Sequence, residues 1–229
     1  MKKKKNKILL ICRYKDVWSD KIVKILKNNF TYVTVFYSKS YNQKITQKIN
    51  SWRGDYILSF RSLLILPKKI LKNAKIASIN FHPGPPEYRG VGCLNYAVYN
   101  GEKYYGVTAH LMRNKIDFGE ILKISRFKIS KIENLDKILS LTHHKLFLLA
   151  EYFIKKIISN KLNLKMYIQS NKENWSKVIK LKSDLDKFYI IDKNITKKNL
   201  EKKLKATITN NFKPYIIIHN KKFYFKNEN

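Results

Sequence analysis

An asparagine, a histidine and an aspartate are the residues of this 229-residue sequence whose types and spacing best suit catalysis. Asn80 and His82 stand two positions apart at the end of an apolar run, so on a strand their side chains point to the same side. A carboxamide and an imidazole can donate hydrogen bonds to an oxyanion that develops in a tetrahedral intermediate. Asp117 can orient His82, hold a bridging water and accept charge while the attacking group loses its proton. The three side chains therefore form a candidate catalytic trio.

Each member of this trio also has a plainer interpretation. A histidine followed by a proline, as in His82-Pro83, is more often a turn residue than a catalyst, and an aspartate in a hairpin turn usually stabilises the turn. It is the joint pattern of the three residues that favours catalysis. The other histidines are not expected to be catalysts or ligands. His110 is packed on a predicted strand, whereas His143, His144 and His219 lack partners at useful spacing.

The first half of the chain alternates between strand-like and helix-like segments. Apolar and β-branched runs predict strands over 7–12, 31–37, 55–60 and 75–81. Ser19 is predicted to cap a first helix, whose apolar positions follow helical spacing: Ile22, Val23, Ile25 and Leu26. Further helices are predicted near 42–52 and 66–73. This order predicts an α/β fold with a doubly wound, mainly parallel sheet. Such sheets bind ligands at the carboxyl ends of their strands, where the segment 80–92 begins.

The next part of the chain carries the aspartate. We predict a helix over 94–101 and strands over 107–113 and 120–124, with Asp117 on the polar turn between the two strands. A long helix is predicted over 133–159, with this buried stripe: Leu135, Ile138, Leu139, Leu146, Leu149, Phe153 and Ile157.

The sequence changes in character after about residue 165, where lysines are frequent. There we predict only a helix near 196–206 and a hairpin over 215–225 that turns at 219–221. The predicted organisation is a catalytic domain over 1–164 and a small C-terminal α+β appendage over 165–229. The appendage could complete a site or an oligomer contact, and a homodimer is left open, because about 65 residues hold only a minimal core.

The formal charge of +32 would ordinarily indicate a nucleic-acid partner or an anionic membrane surface. Only six of the 48 basic residues are arginine, however, and lysine, asparagine and isoleucine are all abundant. This composition is typical of a drift toward AT-rich codons, although part of the charge could serve an anionic ligand. A basic RNA-binding module is the alternative, and it would cluster arginine and aromatic residues on one face. The lysines are spread along the whole chain, so no specific nucleic acid is expected.

Hydropathy and cysteine content limit the class of protein further. The 44% hydrophobic content predicts a globular core, and no segment reaches the roughly 18 to 20 apolar residues of a membrane helix. The two cysteines are too few for a disulfide framework and have no metal-ligand spacing, so we expect a cytoplasmic protein without a metal site.

Glycine and proline indicate where the functional centre lies. In a chain this poor in both, they should remain mainly where the backbone geometry requires them. Six of the seven glycines and three of the five prolines fall between positions 83 and 119.

The segment 78–122 resembles the catalytic region of the folate-dependent formyltransferases. It has Asn80 two residues before His82-Pro83, a proline-rich loop that ends in Arg89-Gly90, and Asp117-Phe118-Gly119 about 35 residues beyond the histidine. The fold-level resemblance covers about residues 7–160 and implies a Rossmann-like fold. It also implies that Asn80, His82 and Asp117 are catalytic, and that a formyl group passes from N10-formyltetrahydrofolate to an amine.

The same resemblance implies where the folate binds. In the family the pterin ring lies against apolar side chains and main-chain amides of two segments, one after the third or fourth strand and one at the turn that carries the aspartate. The corresponding residues here are Phe60, Leu64, Ile65, Leu66, Arg113, Asn114 and Ile116. The three consecutive apolar residues 64–66 could equally be ordinary helix or core residues.

The sequence also separates the branches of this family. The segment after the first strand has no glycine for a phosphate-binding turn, which disfavours the glycinamide ribonucleotide branch. The loop HPGPPEYRGVGCLNYA and the short tail are similar to the short sugar N-formyltransferases, and methionyl-tRNA formyltransferase is the alternative. The sugar branch implies a nucleotide-linked amino sugar, such as a 4-amino-4,6-dideoxyhexose, and a role in O-antigen or other surface polysaccharide synthesis. The substrate contacts that it implies are Arg13, Tyr14, Lys15, Gly84, Pro85, Tyr88, Gly90, Gly92 and Trp175.

Overall fold

A computed structural model describes residues 2–132 and 134–225 of the protein. In this part of the chain the strands are β1 (Lys4–Arg13), β2 (Phe30–Ser38), β3 (Gly54–Phe60), β4 (Ala74–His82), β5 (Arg89–Gly90), β6 (Tyr104–Leu111), β7 (Ile121–Lys128), β8 (Ile179–Lys180), β9 (Tyr215–Ile218) and β10 (Lys221–Tyr224). The helices are α1 (Val17–Asn29), α2 (Gln47–Asn50), α3 (Lys68–Leu71), α4 (Cys93–Asn100), α5 (Leu135–Ile158), α6 (Leu164–Ser170), α7 (Lys182–Phe188) and α8 (Lys197–Thr207).

The central sheet contains six strands in the order β2-β1-β3-β4-β6-β7. The pairs β1–β2, β1–β3 and β3–β4 are parallel, whereas β6 runs antiparallel to β4. In β1 the residues Ile8 to Cys12 are all buried, as expected for a strand that is covered on both faces of a parallel sheet. Because the chain goes from β1 to β2 and then returns to β3 on the other side of β1, the order reverses at β1. In open α/β sheets this reversal creates a ligand-binding crevice.

Helices cover both faces of the sheet. On one face a buried cluster joins residues of β1 and β3 to α2, α3 and the loop before α3: Leu9, Ile11, Ile49, Ile57, Leu66 and Ile70. On the other face, Phe81 of β4 lies 6.4 Å from Phe60 and 6.1 Å from Phe153 of α5, measured between ring centroids. The predicted doubly wound, mainly parallel architecture is therefore confirmed.

Three predicted helices differ from those observed. Helix α1 begins at Val17, and its N-cap is Asp16, so the prediction that Ser19 caps it was wrong. The Asp16 carboxylate accepts hydrogen bonds from the Ser19 backbone N–H at 2.9 Å and from its hydroxyl at 2.8 Å. The helices predicted near 42–52 and 66–73 are single turns, and each buries one isoleucine against the sheet, Ile49 and Ile70 respectively.

The remaining elements match their predictions more closely. Helix α5 carries the expected buried stripe, except that Leu139 is only half-buried, and position 133 of the predicted helix lies outside the described residues. Helix α8 and the hairpin β9–β10 are present, and His219 and Asn220 at its turn have φ of 46° and 61°. This left-handed geometry is typical of two-residue hairpin turns. The short elements α6, β8 and α7 were not predicted.

The chain divides into two compact units that interleave along the sequence. The first contains the residues up to Pro83, then Val107–Ser125 and His143–Asn174, and it includes β1 to β4. The second contains Gly84–Gly106, Arg126–Thr142 and the residues from Trp175 onward. In the second unit α4 packs against α8, and the Asn95 side chain donates a 2.7 Å hydrogen bond to the Ala206 carbonyl. The predicted division at residues 164 and 165 stays a prediction.

Within residues 2–132 and 134–225, no helix combines the length and the apolar character needed to cross a membrane.

Candidate active site

Asn80 and His82 occupy the carboxyl end of β4. The alternation of side chains along the strand places both of them on the sheet face that α2 and α3 cover. In the antiparallel pairing with β6, Asn80 lies opposite His110 and His82 lies opposite Thr108. Residues directly opposite each other in such a pair have neighbouring side chains, so all four belong to one polar group. His82, Thr108 and His110 are buried.

Asp117 reaches this group from the turn between β6 and β7. Its backbone has φ of 43°, the left-handed region that aspartate and asparagine adopt more readily than most residues. Two residues later, a Cβ atom on Gly119 would lie 1.7 Å from the Leu111 carbonyl oxygen, so only glycine fits there. The Leu111 N–H donates a 2.9 Å hydrogen bond to the Glu120 carbonyl, which closes the turn. This close packing directs the Asp117 carboxylate back toward the sheet.

The Asp117 carboxylate lies between two imidazoles. Its Oδ2 atom is 3.3 Å from His82 Nδ1, and its Oδ1 atom is 3.3 Å from His110 Nε2. Asp117 is 7% exposed and His82 is 3% exposed, so little water screens their interaction. The structure therefore brings the Asp117 and His82 side chains together, as the sequence analysis expected.

His110 is the residue of this site that the sequence analysis did not include. It is buried on β6, as expected, but it also contacts two members of the trio. Its Nε2 atom lies 3.0 Å from Asn80 Nδ2, and its Nδ1 atom lies 2.9 Å from the Leu111 carbonyl oxygen. The signal that could have found it is the strand pairing, which places His110 directly opposite Asn80.

The arrangement suits acyl-type transfer with proton movement. A buried carboxylate that faces one imidazole nitrogen fixes the ring orientation and stabilises its protonated form. The Asn80 amide can donate to a developing oxyanion, and the imidazole can donate to the same oxygen or take a proton from an attacking amine. This geometry can accept a proton and stabilise a negative oxygen within the same site.

The first predicted folate segment lies on the loop between β3 and α3. Leu66 packs into the core cluster on one face, and Phe60 packs on the opposite face, so both are core residues in the structure. Leu64 is half-buried, and Ile65 is 61% exposed. Only Leu64 and Ile65 of this set are thus accessible to a ligand without movement of the core. Their role in folate binding stays a prediction.

The second predicted folate segment is the turn that carries Asp117. Arg113 pairs with Glu120 across this turn, with a 2.9 Å hydrogen bond from Nε, and this contact raises the pKa of Arg113. Asn114 is exposed and Ile116 is half-buried. Met112, at the start of the turn, packs against the same core cluster as Leu66, so the two predicted folate segments are neighbours.

The predicted nucleotide contacts of the first unit follow β1, beside the reversal of strand order. Arg13 and Lys15 are exposed, and the Tyr14 side chain is 43% exposed. The ammonium groups of Lys39 and Lys15 lie 4.8 Å and 5.7 Å from the centroid of the Tyr14 ring.

The adjacent Asp16 carboxylate forms a 3.0 Å ion pair with Arg61, and both side chains are largely buried. Desolvation lowers the pKa of Arg61 to about 10, whereas the Asp16 charge opposes this shift.

The other predicted substrate contacts belong to the second unit. Gly84 and Pro85 are buried, and Trp175 is half-buried. The Tyr88 hydroxyl donates to Glu102 at 2.9 Å and accepts from Asn100 at 3.0 Å, and desolvation raises the pKa of Tyr88 to about 12.

Two glycines of this loop have packing reasons of their own. Gly90 and Gly92 both have positive φ, and a Cβ atom on them would lie 2.0 Å from the Lys180 carbonyl oxygen and 2.6 Å from Leu185 respectively. A role for either glycine in substrate binding stays a prediction.

The family profile of the formyl transferases matches residues 6–147, and the chain belongs to this family. It is 41% identical over 137 residues to the bifunctional polymyxin resistance protein ArnA of Wigglesworthia glossinidia brevipalpis. This aligned segment covers 57% of this chain and 20% of ArnA. It is 37% identical over 93 residues to the methionyl-tRNA formyltransferase of Mycoplasmopsis pulmonis, which covers 40% of this chain and 32% of that protein. The matched part is thus a third or less of each relative.

Two solved structures share the fold over nearly the whole chain. A 4-N formyltransferase from Francisella tularensis has a TM-score of 0.78 at 22% identity and covers 97% of both chains. The N-formyltransferase from Helicobacter canadensis, solved with folinic acid and dTDP-3-aminofucose, has a TM-score of 0.69 at 20% identity and covers 95% of this chain and 86% of that chain. These similarities agree with the predicted fold class.

Proposed function

We propose that this protein transfers a formyl group from N10-formyltetrahydrofolate to the amine of a nucleotide-linked amino sugar. The observation that carries the proposal is the buried contact between Asp117 and His82, 3.3 Å apart, beside Asn80 in a chain of the formyl transferase family. In this mechanism Asn80 and His82 stabilise the negative oxygen that develops as the amine attacks the formyl carbon. Asp117 orients His82, which accepts the amine proton at Nε2, and its charge balances the imidazolium that forms. This imidazolium donates to the negative oxygen and then returns the proton to N10 of the folate as the bond between N10 and the formyl carbon breaks, so tetrahydrofolate leaves and the formyl group stays on the amine.

The folate is assigned to the two neighbouring segments near the site. Folate supplies the activated formyl carbon, and its flat ring needs apolar surface together with hydrogen-bonding groups. Ile65 on the loop after β3 and Phe118 on the Asp117 turn are 61% and 52% exposed, which leaves apolar area for a ring to cover. Arg113, Asn114 and the half-buried Ile116 lie on the same turn. These residues fit the proposed cofactor.

A nucleotide-linked sugar is favoured over aminoacyl-tRNA by the extent of the similarities. The similarity to the 4-N formyltransferase covers 97% of this chain. The similarity to the methionyl-tRNA formyltransferase covers only 40% of it. The Helicobacter canadensis enzyme, which binds dTDP-3-aminofucose, also covers nearly the whole chain. A 4-amino-4,6-dideoxyhexose is the sugar that we propose, with a product used in O-antigen or other surface polysaccharides.

The segment after β1 supports a nucleotide diphosphate. A partly exposed Tyr14 ring can stack on a base, and the ammonium groups of Lys15 and Lys39 beside it can pair with phosphates. Arg13 adds a guanidinium group that can bind two phosphate oxygens at once. In the second unit we propose that Gly84, Pro85, Tyr88, Gly92 and Trp175 contact the sugar or the nucleotide.

Two further proposals concern the state of the protein in the cell. A cytoplasmic location agrees with the content of only two cysteines, Cys12 and Cys93, both of which are buried. A homodimer is supported by the β9–β10 hairpin, on which Phe223 and Tyr224 are 52% and 58% exposed and could be covered by a second copy.

The function is tested by incubating the protein with N10-formyltetrahydrofolate and one acceptor at a time, and by measuring loss of formyl groups from the folate. The acceptors are a panel of nucleotide-linked amino sugars and a charged initiator tRNA, at physiological salt. We expect transfer to a nucleotide-linked 4-amino sugar. Transfer to the tRNA alone would reject the substrate assignment, and no transfer to any amine would reject the function.

A matched pair of variants assigns this activity to the site. His82→Asn should lower the turnover number by a factor on the order of 10² to 10⁴, because an amide cannot accept the amine proton and offers the oxyanion only a neutral donor in place of an imidazolium. His219→Asn is the control, since His219 is exposed in a left-handed turn that asparagine adopts easily. Equal activity of the two variants would remove His82 from the mechanism.

A further inference from the structure

Four buried or half-buried side chains form one continuous line of contacts in the first unit. Asn80 contacts His110 at 3.0 Å, His110 contacts Asp117 at 3.3 Å, and Asp117 contacts His82 at 3.3 Å. The two ends of this line, Asn80 and His82, are the groups proposed to meet the developing oxyanion. His110 is therefore the link that joins Asn80 to the Asp117–His82 pair.

The tautomer of His110 follows from its contact with the backbone. A carbonyl oxygen only accepts hydrogen bonds, so the Nδ1 atom of His110, 2.9 Å from the Leu111 oxygen, must carry a proton. Its other nitrogen, Nε2, then faces Asn80 and Asp117. Without a proton Nε2 accepts a hydrogen bond from the Asn80 amide, and with a proton it donates to Asp117 Oδ1. The ring thus holds Asn80 when Nε2 lacks a proton and Asp117 when Nε2 carries one.

We propose that His110 is a positioning residue for formyl transfer. It fixes the rotation of the Asn80 amide while Nε2 is unprotonated, and the direction of the Asp117 carboxylate once Nε2 carries a proton. The inference rests on the proposed roles of Asn80, His82 and Asp117. His110 is 2% exposed, so it acts through these neighbours and not by contact with a substrate.

The Asn80 amide needs such a partner because its two ends are nearly equal in size. A rotation of about 180° exchanges the N–H₂ group for the carbonyl oxygen, and only the N–H₂ end can stabilise a negative oxygen. A contact from His110 to the Asn80 nitrogen selects one rotation. Asp117 likewise has two equivalent oxygens, and the contact of Oδ1 with His110 leaves Oδ2 directed at His82.

The kinetic test compares His110→Leu, which keeps apolar volume, with His110→Gln, whose amide can reach the position of Nε2. We expect His110→Leu to lower kcat on the order of 10 to 10² fold, less than loss of a direct oxyanion donor, with KM for both substrates nearly unchanged. His110→Gln should recover most of this loss. An unchanged kcat in folded His110→Leu, or an equal loss in both variants, would overturn the proposal.

A double variant tests whether His110 acts through Asn80. If it does, adding His110→Leu to Asn80→Ala should lower kcat by less than about twofold beyond Asn80→Ala alone, because coupled residues are not additive. Losses that multiply fully both here and when His110→Leu is added to Asp117→Asn would mean that His110 acts through neither neighbour, and would overturn the proposal.

A spectroscopic measurement keeps this inference separate from the proposed function. In ¹⁵N-labelled wild-type protein without substrates, long-range ¹H–¹⁵N correlations of the imidazole should show a proton on Nδ1 of His110. His110→Leu should shift the His82 ring signals through Asp117, whereas His144→Leu, at an exposed ring on α5, should not. A proton on Nε2 alone would overturn the proposal. If the wild-type protein transfers no formyl group, the proposed function fails, and this measurement still decides whether His110 holds Asn80 and Asp117 as proposed.

Discussion

At the scale of single residues, the central feature of the site is the Asp117 carboxylate, which contacts His82 with one oxygen and His110 with the other. Asp117→Asn keeps the shape of this side chain and its left-handed backbone but removes the charge that orients His82. We expect kcat to fall on the order of 10² to 10⁴ fold while the melting temperature changes little. Steady-state kinetics of folate deformylation would measure this.

The control for this variant is Asp55→Asn on β3. Asp55 accepts a 2.7 Å hydrogen bond from the Lys7 backbone and lies outside the polar group around His82. Its substitution should leave kcat unchanged within about twofold, as for a surface change away from the site. Comparable losses in the two variants would show that removal of any carboxylate impairs the enzyme, and would contradict the specific role of Asp117.

At the scale of elements, the turn between β6 and β7 sets the position of Asp117. A methyl group on Gly119 would meet the Leu111 carbonyl oxygen, which belongs to rigid backbone, so Gly119→Ala must displace the turn. We expect lower stability together with a loss of kcat, measured by thermal unfolding and by the formyl-transfer assay. The matched control is Gly101→Ala at the end of α4, where φ is 76° and, apart from the adjoining residues, no heavy atom of the described chain lies within 4 Å of the added group. That change should cost only about 1–2 kcal/mol of backbone strain and should spare kcat.

Helix α5 places His143 near the charged residues Asp16 and Arg61, which follow β1 and β3. Desolvation lowers the pKa of His143 to about 3, and the nearby positive charge of Arg61 acts in the same direction. Because the unfolded state binds a proton below about pH 6.5 while the folded state does not, stability should fall as the pH decreases from 6.5 toward 3. The slope for this one group is at most about 1.4 kcal/mol per pH unit.

Urea unfolding of wild-type protein, His143→Gln and His144→Gln between pH 4.5 and 7.5 would test this expectation. The first variant should show a shallower pH dependence than the wild type, and His144→Gln, at an exposed position on the same helix, should not. Parallel curves for all three proteins would mean that His143 is protonated equally in the folded and unfolded states.

At the scale of the whole molecule, the net charge of +32 opposes compaction through self-repulsion. Added salt screens exposed charges, so the melting temperature should rise between about 10 and 300 mM NaCl, by roughly 2–4 °C for each kcal/mol regained. Thermal unfolding followed by circular dichroism would measure it. KCl should act like NaCl at equal ionic strength, because screening does not depend on which monovalent salt is used. A constant or falling melting temperature would indicate that the charges are already balanced by bound anions.

The sequence by itself predicted four strands of the sheet and proposed Asn80, His82 and Asp117 as catalytic residues. Apolar runs and residue periodicity depend only on neighbours along the chain, so β1 to β4 and the hairpin β9–β10 were found close to their observed bounds. The spacing of Asn80 and His82 on one strand likewise fixed that they share a face. The helix cap was misplaced because Asp16 and Ser19 are both good capping residues, and the choice depends on where the β1–α1 loop turns.

Only the tertiary structure decided which further residues join Asn80, His82 and Asp117. His110 lies opposite Asn80 because β6 pairs with β4 in one particular register, and no local pattern specifies that register. The same holds for the loop after β3, where Leu66 became a core residue and Ile65 remained exposed although both are apolar. Local spacing sets the face of a strand on which a side chain lies, but its neighbours across the sheet depend on strand pairing between segments far apart in sequence.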